Sequence, residues 1–178
     1  RTFPVFNLNW GLFSTEIGLI VLSLGCLVAD MLIKPEEKRG EILASISITG
    51  LSILLLVLFF QWNHFGLAFK TSFVQDGLSF FFKALFLTAG IFVLFMAKSY
   101  QKKLERGRGE FILLILFSLV GAVFLASANA FLVFFVALET LTISAYIMTA
   151  YLKNRESSVE AGAKYLVLGA LSTGLFLY

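Results

Sequence analysis

The stretch FVALETLTISAY, residues 135–146, places a carboxylic acid in one of the least polar parts of a 178-residue chain. Glu139 follows Phe134, Phe135, Val136, Ala137 and Leu138, and the first basic residue after it is Lys153. Inserting an acid at the middle of a bilayer costs on the order of 3 kcal/mol, so an ionisable group at that depth points to function. Burial without a neighbouring cation favours the protonated form of an acid, and a cation that approaches reverses the preference. The chemistry expected of Glu139 is therefore uptake and release of a proton. The alternative is a neutral Glu hydrogen-bonded across a helix interface.

Lys164, in SVEAGAKYLVLGALSTG, is the natural candidate partner. With helices over 130–152 and 158–178, Glu139 lies about 13 to 14 Å from one membrane face and Lys164 about 9 to 10 Å from the other. A five-residue connection, 153–157, makes these helices antiparallel neighbours, with the two groups about 7 to 10 Å apart in depth. A water or a third side chain could bridge that gap. The local alternative is Glu160, at i−4 on the same helix face, with the lysine stem reaching for water. Spacing alone leaves both readings open.

The other ionisable residues suggest less. Lys83, in LSFFFKALF, is expected to send its long stem to the outer interface. Asp30 and Lys34 are expected to form a solvated i, i+4 pair, and Glu16 reads as a helix N-terminal charge. His64 reads as a surface residue, and the lone Cys26 as a small buried hydrophobe. One cysteine and one histidine exclude a disulfide framework and a Cys/His metal cluster. There is no Gly-rich phosphate loop and no nucleophile paired with a base.

The elements that position these groups follow from composition. The chain is 59% hydrophobic and 14% charged, with a mean hydropathy of +0.92, where a soluble domain is about half apolar and about a quarter charged. This is a membrane protein. Its net charge of +3 does not signal a nucleic-acid partner, because the basic residues fall in short loops between apolar runs. About 20 apolar residues span a bilayer, and the sequence predicts six helices over residues 14–33, 42–62, 77–97, 111–128, 130–152 and 158–178. The predicted fold is an all-α polytopic transmembrane bundle forming a single domain over 1–178.

The first, third and fifth loops hold Lys34, Lys38, Arg39, Lys98, Lys102, Lys103, Arg106, Arg108, Lys153 and Arg155, ten of the fourteen Lys and Arg. On the other side stand Arg1 and Lys70. The positive-inside rule places the three basic loops in the cytoplasm and the N-terminus outside. Trp10 and Trp62 fall at the outer interface, Tyr100 and Tyr151 at the inner one. Gly162, Gly169 and Gly174 are expected to admit close helix approach, with Ser144, Thr142, Ser172 and Thr173 bonding across it. The chain stops at Tyr178 in an apolar run, and the expectation is a portion of a longer protein.

From helix 5 onward the sequence resembles a known family. ANAFLVFFVALETLTISAYIMTAYLKNRESSVEAGAKYLVLGALSTG looks like the N-type, or subunit 2 type, antiporter-like membrane subunit of NADH:quinone oxidoreductase, respiratory complex I. The resemblance is carried by Glu139 in LET, by Tyr146, and by Ser158, Glu160, Ala161, Lys164, Tyr165, Gly169, Ala170 and Ser172, which fall on the family pattern S-x-E-A-x-x-K-Y-x-x-x-G-A-x-S-S. Upstream, Asp76 and Gly77 are similar to the Asp-Gly entry of helix 3. Many members carry Pro where this chain has Ser144, although a Ser can also bend a helix by bonding back to the i−4 carbonyl.

The resemblance implies a chain that forms the first part of a fold of about fourteen helices built as inverted repeats. It implies proton translocation driven by quinone reduction elsewhere in the complex, with Glu139 as the acid and Lys164 as a relay or charge-tuning group. NADH, FMN, iron–sulfur clusters and quinone would be bound by other subunits. The implied partners are membrane-arm subunits, including the M type and the small membrane subunits, within the lipid bilayer. The implied location is a bacterial inner membrane, or alternatively a mitochondrial inner or thylakoid membrane. A subunit of a multisubunit cation/proton antiporter and a non-pumping structural subunit are the alternatives.

Overall fold

The computed structural model describes residues 11–34, 36–62, 66–68, 72–101 and 107–178. Among these residues there are six helices: α1 Ser14–Leu32, α2 Glu36–Phe60, α3 Gly77–Tyr100, α4 Arg108–Ser127, α5 Phe131–Thr149 and α6 Glu156–Leu177. The first five are long and apolar enough to cross a membrane. The sixth, at 22 residues, is diluted by Glu156, Glu160, Lys164 and several Gly, Ser and Thr. The expected all-α membrane bundle is therefore observed, with small shifts at the ends. α2 starts six residues before the expected Ile42, because EEKRGE consists largely of good helix formers. α5 ends at Thr149, three residues before the expected Leu152.

The connection between α2 and α3, read from sequence as a plain polar loop, carries a short antiparallel hairpin. β1 Gly66–Ala68 pairs with β2 Phe73–Gln75 in the register Gly66↔Gln75, Leu67↔Val74 and Ala68↔Phe73. The hairpin is tied to the α4–α5 turn by a bridge between Phe73 and Ala128 and by the Ser72 carbonyl, which accepts from the Asn129 N–H at 2.9 Å. Phe13, Phe73 and Phe124 close the junction edge-to-face, with centroids 4.6 to 5.8 Å apart. Asp76 then starts α3 with a capping box: its Oδ1 accepts from the Ser79 N–H at 2.7 Å, and the Ser79 hydroxyl accepts from the Asp76 N–H at 3.2 Å.

The core lies among α1 to α4. Phe80, Leu87 and Leu94 recur every seven residues on α3, and with Leu19, Leu51, Leu58, Ile112, Leu116 and Val123 they fill the space between helices. α4 touches α1, α2, α3 and α5 and is the most enclosed element. α5 and α6 are added to one side. α5 buries Ala137, Ser144 and Tyr146, and among the described residues of α6 only Gly162 is buried.

Lys34, Lys38, Arg39, Lys98, Arg108, Lys153 and Arg155 gather at one end of the bundle, and the hairpin stands at the other, as the alternation of basic loops predicts. At the hairpin end the Trp62 ring meets Phe80 edge-on at 4.7 Å. At the basic end Phe111 joins Tyr100 and Tyr151, at 6.0 and 5.1 Å. Arg1, Trp10, His64, Lys70, Lys102, Lys103 and Arg106 lie outside the described residues.

Candidate functional site

Glu139 sits in the third turn of α5, about 12 Å from the helix start at 1.5 Å per residue. Its side chain is half-buried, and Oε1 is buried with no hydrogen-bond partner among the described residues. The turn that carries it is held by unusually close backbone packing. A Cβ at Gly121 of α4 would stand 2.6 Å from the Leu141 nitrogen and 2.8 Å from the Ala137 oxygen, so only a glycine lets α4 approach here. One turn further on, the Ser144 hydroxyl donates to the Thr140 carbonyl at 2.9 Å, the back-bond to i−4 that the sequence suggested in place of a proline.

Lys164 takes the local partner. Its Nζ is 2.5 Å from Glu160 Oε1, and both side chains are about two-thirds exposed. No hydrogen bond or ion pair joins Lys164 to Glu139 among the described residues. The reason is azimuth: Lys164 shares a helix face with Glu160, whereas the face of α6 that meets α5 is lined by small residues. Gly162 packs against Ala150, with a built Cβ 3.0 Å from its Cα, and Gly169 receives the Tyr146 hydroxyl. Tyr146 and Tyr165 meet edge-to-face at 4.7 Å. At Gly174, expected to mark a close approach, a built Cβ would meet no described atom within 4 Å. Thr142 and Thr173 bond to carbonyls of their own helices and not across the interface.

The most enclosed charges are a pair that the sequence reading separated. Lys83 does not reach the outer interface; its Nζ is 2.5 Å from Glu16 Oε1, with the side chains 1% and 0% exposed. Glu16 stands in the first turn of α1, as expected of a helix N-terminal charge, and is at the same time fully buried. Ser127 on α4 donates to Glu16 Oε1 at 2.7 Å, and Lys83 donates to Gln75 Oε1 on β2. A signal for this was present. Lys83 lies on the stripe Phe80, Leu87, Leu94, and Glu16 on the stripe Leu19, Ser23, Cys26, each at core-facing spacing.

At the basic end, Asp30 pairs with Arg39 at 3.8 Å and not with Lys34. α1 ends at Leu32, so Lys34 leaves the helix face, and the Arg39 guanidinium fills its place while donating to the Ile33 carbonyl at 3.0 and 2.8 Å. Just beyond α5, Tyr151 donates to the Gly107 carbonyl. Burial first, then the charges of Glu110 and Asp30, push the Tyr151 phenol up to about 12. Cys26 is buried as expected, its thiol 3.5 Å from the Ser47 hydroxyl. No group of three or more His, Cys, Asp or Glu with metal-binding geometry occurs among the described residues.

Residues 128–178 match the family described as "NADH:quinone oxidoreductase/Mrp antiporter, TM". Over 97% of its length the chain is 38% identical to NAD(P)H-quinone oxidoreductase subunit 2 of Synechococcus elongatus. It is 36% identical over 96% of its length to NADH-quinone oxidoreductase subunit N of Heliobacterium modesticaldum. Among solved structures, a chain of respiratory complex I from Thermus thermophilus, determined with bound aureothin, superposes with a TM-score of 0.77 at 29% identity, over 92% of this chain and 35% of that one. The chain spans about a third of the length of the relatives it matches: 33% of the Synechococcus protein and 36% of the Heliobacterium one.

Proposed function

We propose that the chain belongs to the antiporter-like family of quinone oxidoreductase membrane subunits and forms part of the proton-translocating membrane arm of an NADH- or NAD(P)H-quinone oxidoreductase. It is a multi-pass membrane protein, and its relatives come from bacteria, including cyanobacteria. The N, or subunit 2, type is supported by the names of those relatives. In this reading the chain is a non-redox component. NADH, FMN, iron–sulfur clusters and quinone are held by other subunits, and the chain's neighbours are other membrane-arm subunits, including the M type and the small membrane subunits.

The observation that supports this reading most directly is Glu139: an acid deep in a membrane span whose buried Oε1 has no hydrogen-bond partner among the described residues. Such a group gains and loses a proton as a neighbouring cation approaches or leaves. Lys164, already charge-balanced by Glu160 at the surface of α6, acts as a charge-tuning group on the route to the basic end. The carboxyl carries the proton and the lysine sets the local field; no bond other than O–H and N–H is made or broken.

The test is Glu139→Gln in the assembled complex, reconstituted in vesicles. The amide keeps the shape and the hydrogen-bonding capacity but cannot exchange a proton with its surroundings. The expected result is normal assembly with fewer protons moved per NADH oxidised. Normal pumping in that variant would overturn the role given to Glu139.

A further inference from the structure

We propose that Glu16 and Lys83 form a second proton-carrying pair, at the hairpin end of the bundle; the inference rests on the proton-translocating reading above. Four elements converge on the pair. Glu16 comes from α1, Lys83 from α3, Ser127 from the last turn of α4 and Gln75 from β2. Both charged side chains are buried, and Nζ and Oε1 stand in direct contact. Transfer between Nζ and Oε1 at 2.5 Å is therefore direct.

A purely structural role fits this arrangement poorly. Replacing a buried ion pair by apolar residues of similar volume is often neutral or stabilising, so such a pair is weak evidence for stability. Charges within membrane spans are costly and mark ion or proton pathways. Among the described residues, Glu16 Oε2, Gln75 Nε2 and the neighbouring Thr15 Oγ1 are buried with no hydrogen-bond partner. A finished structural latch would satisfy those atoms. Around the pair, Ser79 stands behind Gln75, donating to it at 3.3 Å, and Asp76 is engaged in the α3 cap. From the end of α2, Gln61 bonds Ser14.

The step balances as a proton transfer. An N–H bond of the Lys83 ammonium breaks and an O–H bond forms at Glu16, turning an ion pair into a neutral amine and a neutral acid. Glu16 then releases its proton toward water at the hairpin end, with the Ser127 hydroxyl able to accept and donate along the way. The neutral Lys83 amine then takes a proton from a hydronium ion, which leaves as water, and the ammonium is restored. One proton has moved and nothing is oxidised or reduced.

The experiment uses the assembled complex in vesicles and reads protons moved per NADH oxidised. The double variant Glu16→Leu with Lys83→Met removes both charges; the expected result is normal assembly with pumping reduced several-fold. Lys83→Arg keeps the charge and the pair, but a guanidinium does not release its proton; the expected result is again assembly without full pumping, which a structural latch would not produce. Normal pumping in either variant overturns the proposal, and so does failure of both to assemble, which would mark the pair as a latch. Glu139→Gln run in parallel separates the two readings. If it loses pumping while the pair variants do not, only the second pair is discarded; if all three pump normally, the proton-carrying reading of the chain falls as well.

Discussion

Lys83 on α3 reaches Glu16 on α1 with its Nζ 2.5 Å from the carboxylate, both side chains sealed inside the bundle. Removing one partner leaves the other as an uncompensated buried charge, at a cost of about 3 to 5 kcal/mol, whereas removing both does not. Thermal unfolding in detergent is expected to show Glu16→Leu and Lys83→Met each strongly destabilising and the double variant close to wild type. Additive losses in that double-mutant cycle would show that the two side chains do not depend on each other.

Gly121 holds α4 against the turn of α5 that bears Glu139, where a Cβ would lie 2.6 Å from the Leu141 nitrogen. The obstacle is backbone and cannot rotate away. Gly121→Val is expected to destabilise the protein by about 1 to 3 kcal/mol through overpacking and to lower pumping by shifting Glu139. Gly174, where a built Cβ meets no described atom within 4 Å, serves as the control, and Gly174→Ala is expected to leave both measurements unchanged. Equal behaviour of the two variants would remove the link between the α4–α5 contact and the acid.

The Tyr151 phenol, raised to about 12 by burial and by Glu110 and Asp30, titrates above the ordinary tyrosine value near 10. Its folded value exceeds its unfolded one, so the stability linked to it is fully present below about pH 10 and is lost as pH rises toward about 12. An alkaline absorbance titration is expected to show a late phenolate step that Tyr151→Phe abolishes. A late step that survives the substitution would belong to another tyrosine.

Lys164 and Glu160 form an exposed i, i+4 pair, worth about 0.5 kcal/mol or less. Lys164→Ala is therefore expected to leave stability nearly unchanged and to reduce pumping less than Glu139→Gln does. Rescue by Lys164→Arg would show that its charge matters and not its packing. A stability loss well above that range would mean the lysine is not the surface residue seen in α6.

The sequence by itself determined the membrane class, six helices with ends good to a few residues, and which loops gather at the basic end. These depend on quantities summed along the chain: apolar run length against bilayer thickness, and the alternation of Lys and Arg between loops. It also singled out Glu139, because an acid in an apolar run stands out without any tertiary information, and it anticipated the Ser144 back-bond, which is local. Only the tertiary structure decided the direction in which each ionisable side chain points. Lys83 turns inward to Glu16, Asp30 takes Arg39 in place of Lys34, and Lys164 keeps to Glu160. Periodicity had offered a hint for Lys83 and Glu16, but partners 67 residues apart in sequence are joined only when α1, α3, α4 and the hairpin pack together. A buried charge finds its counter-charge through space, and the chain order does not record it.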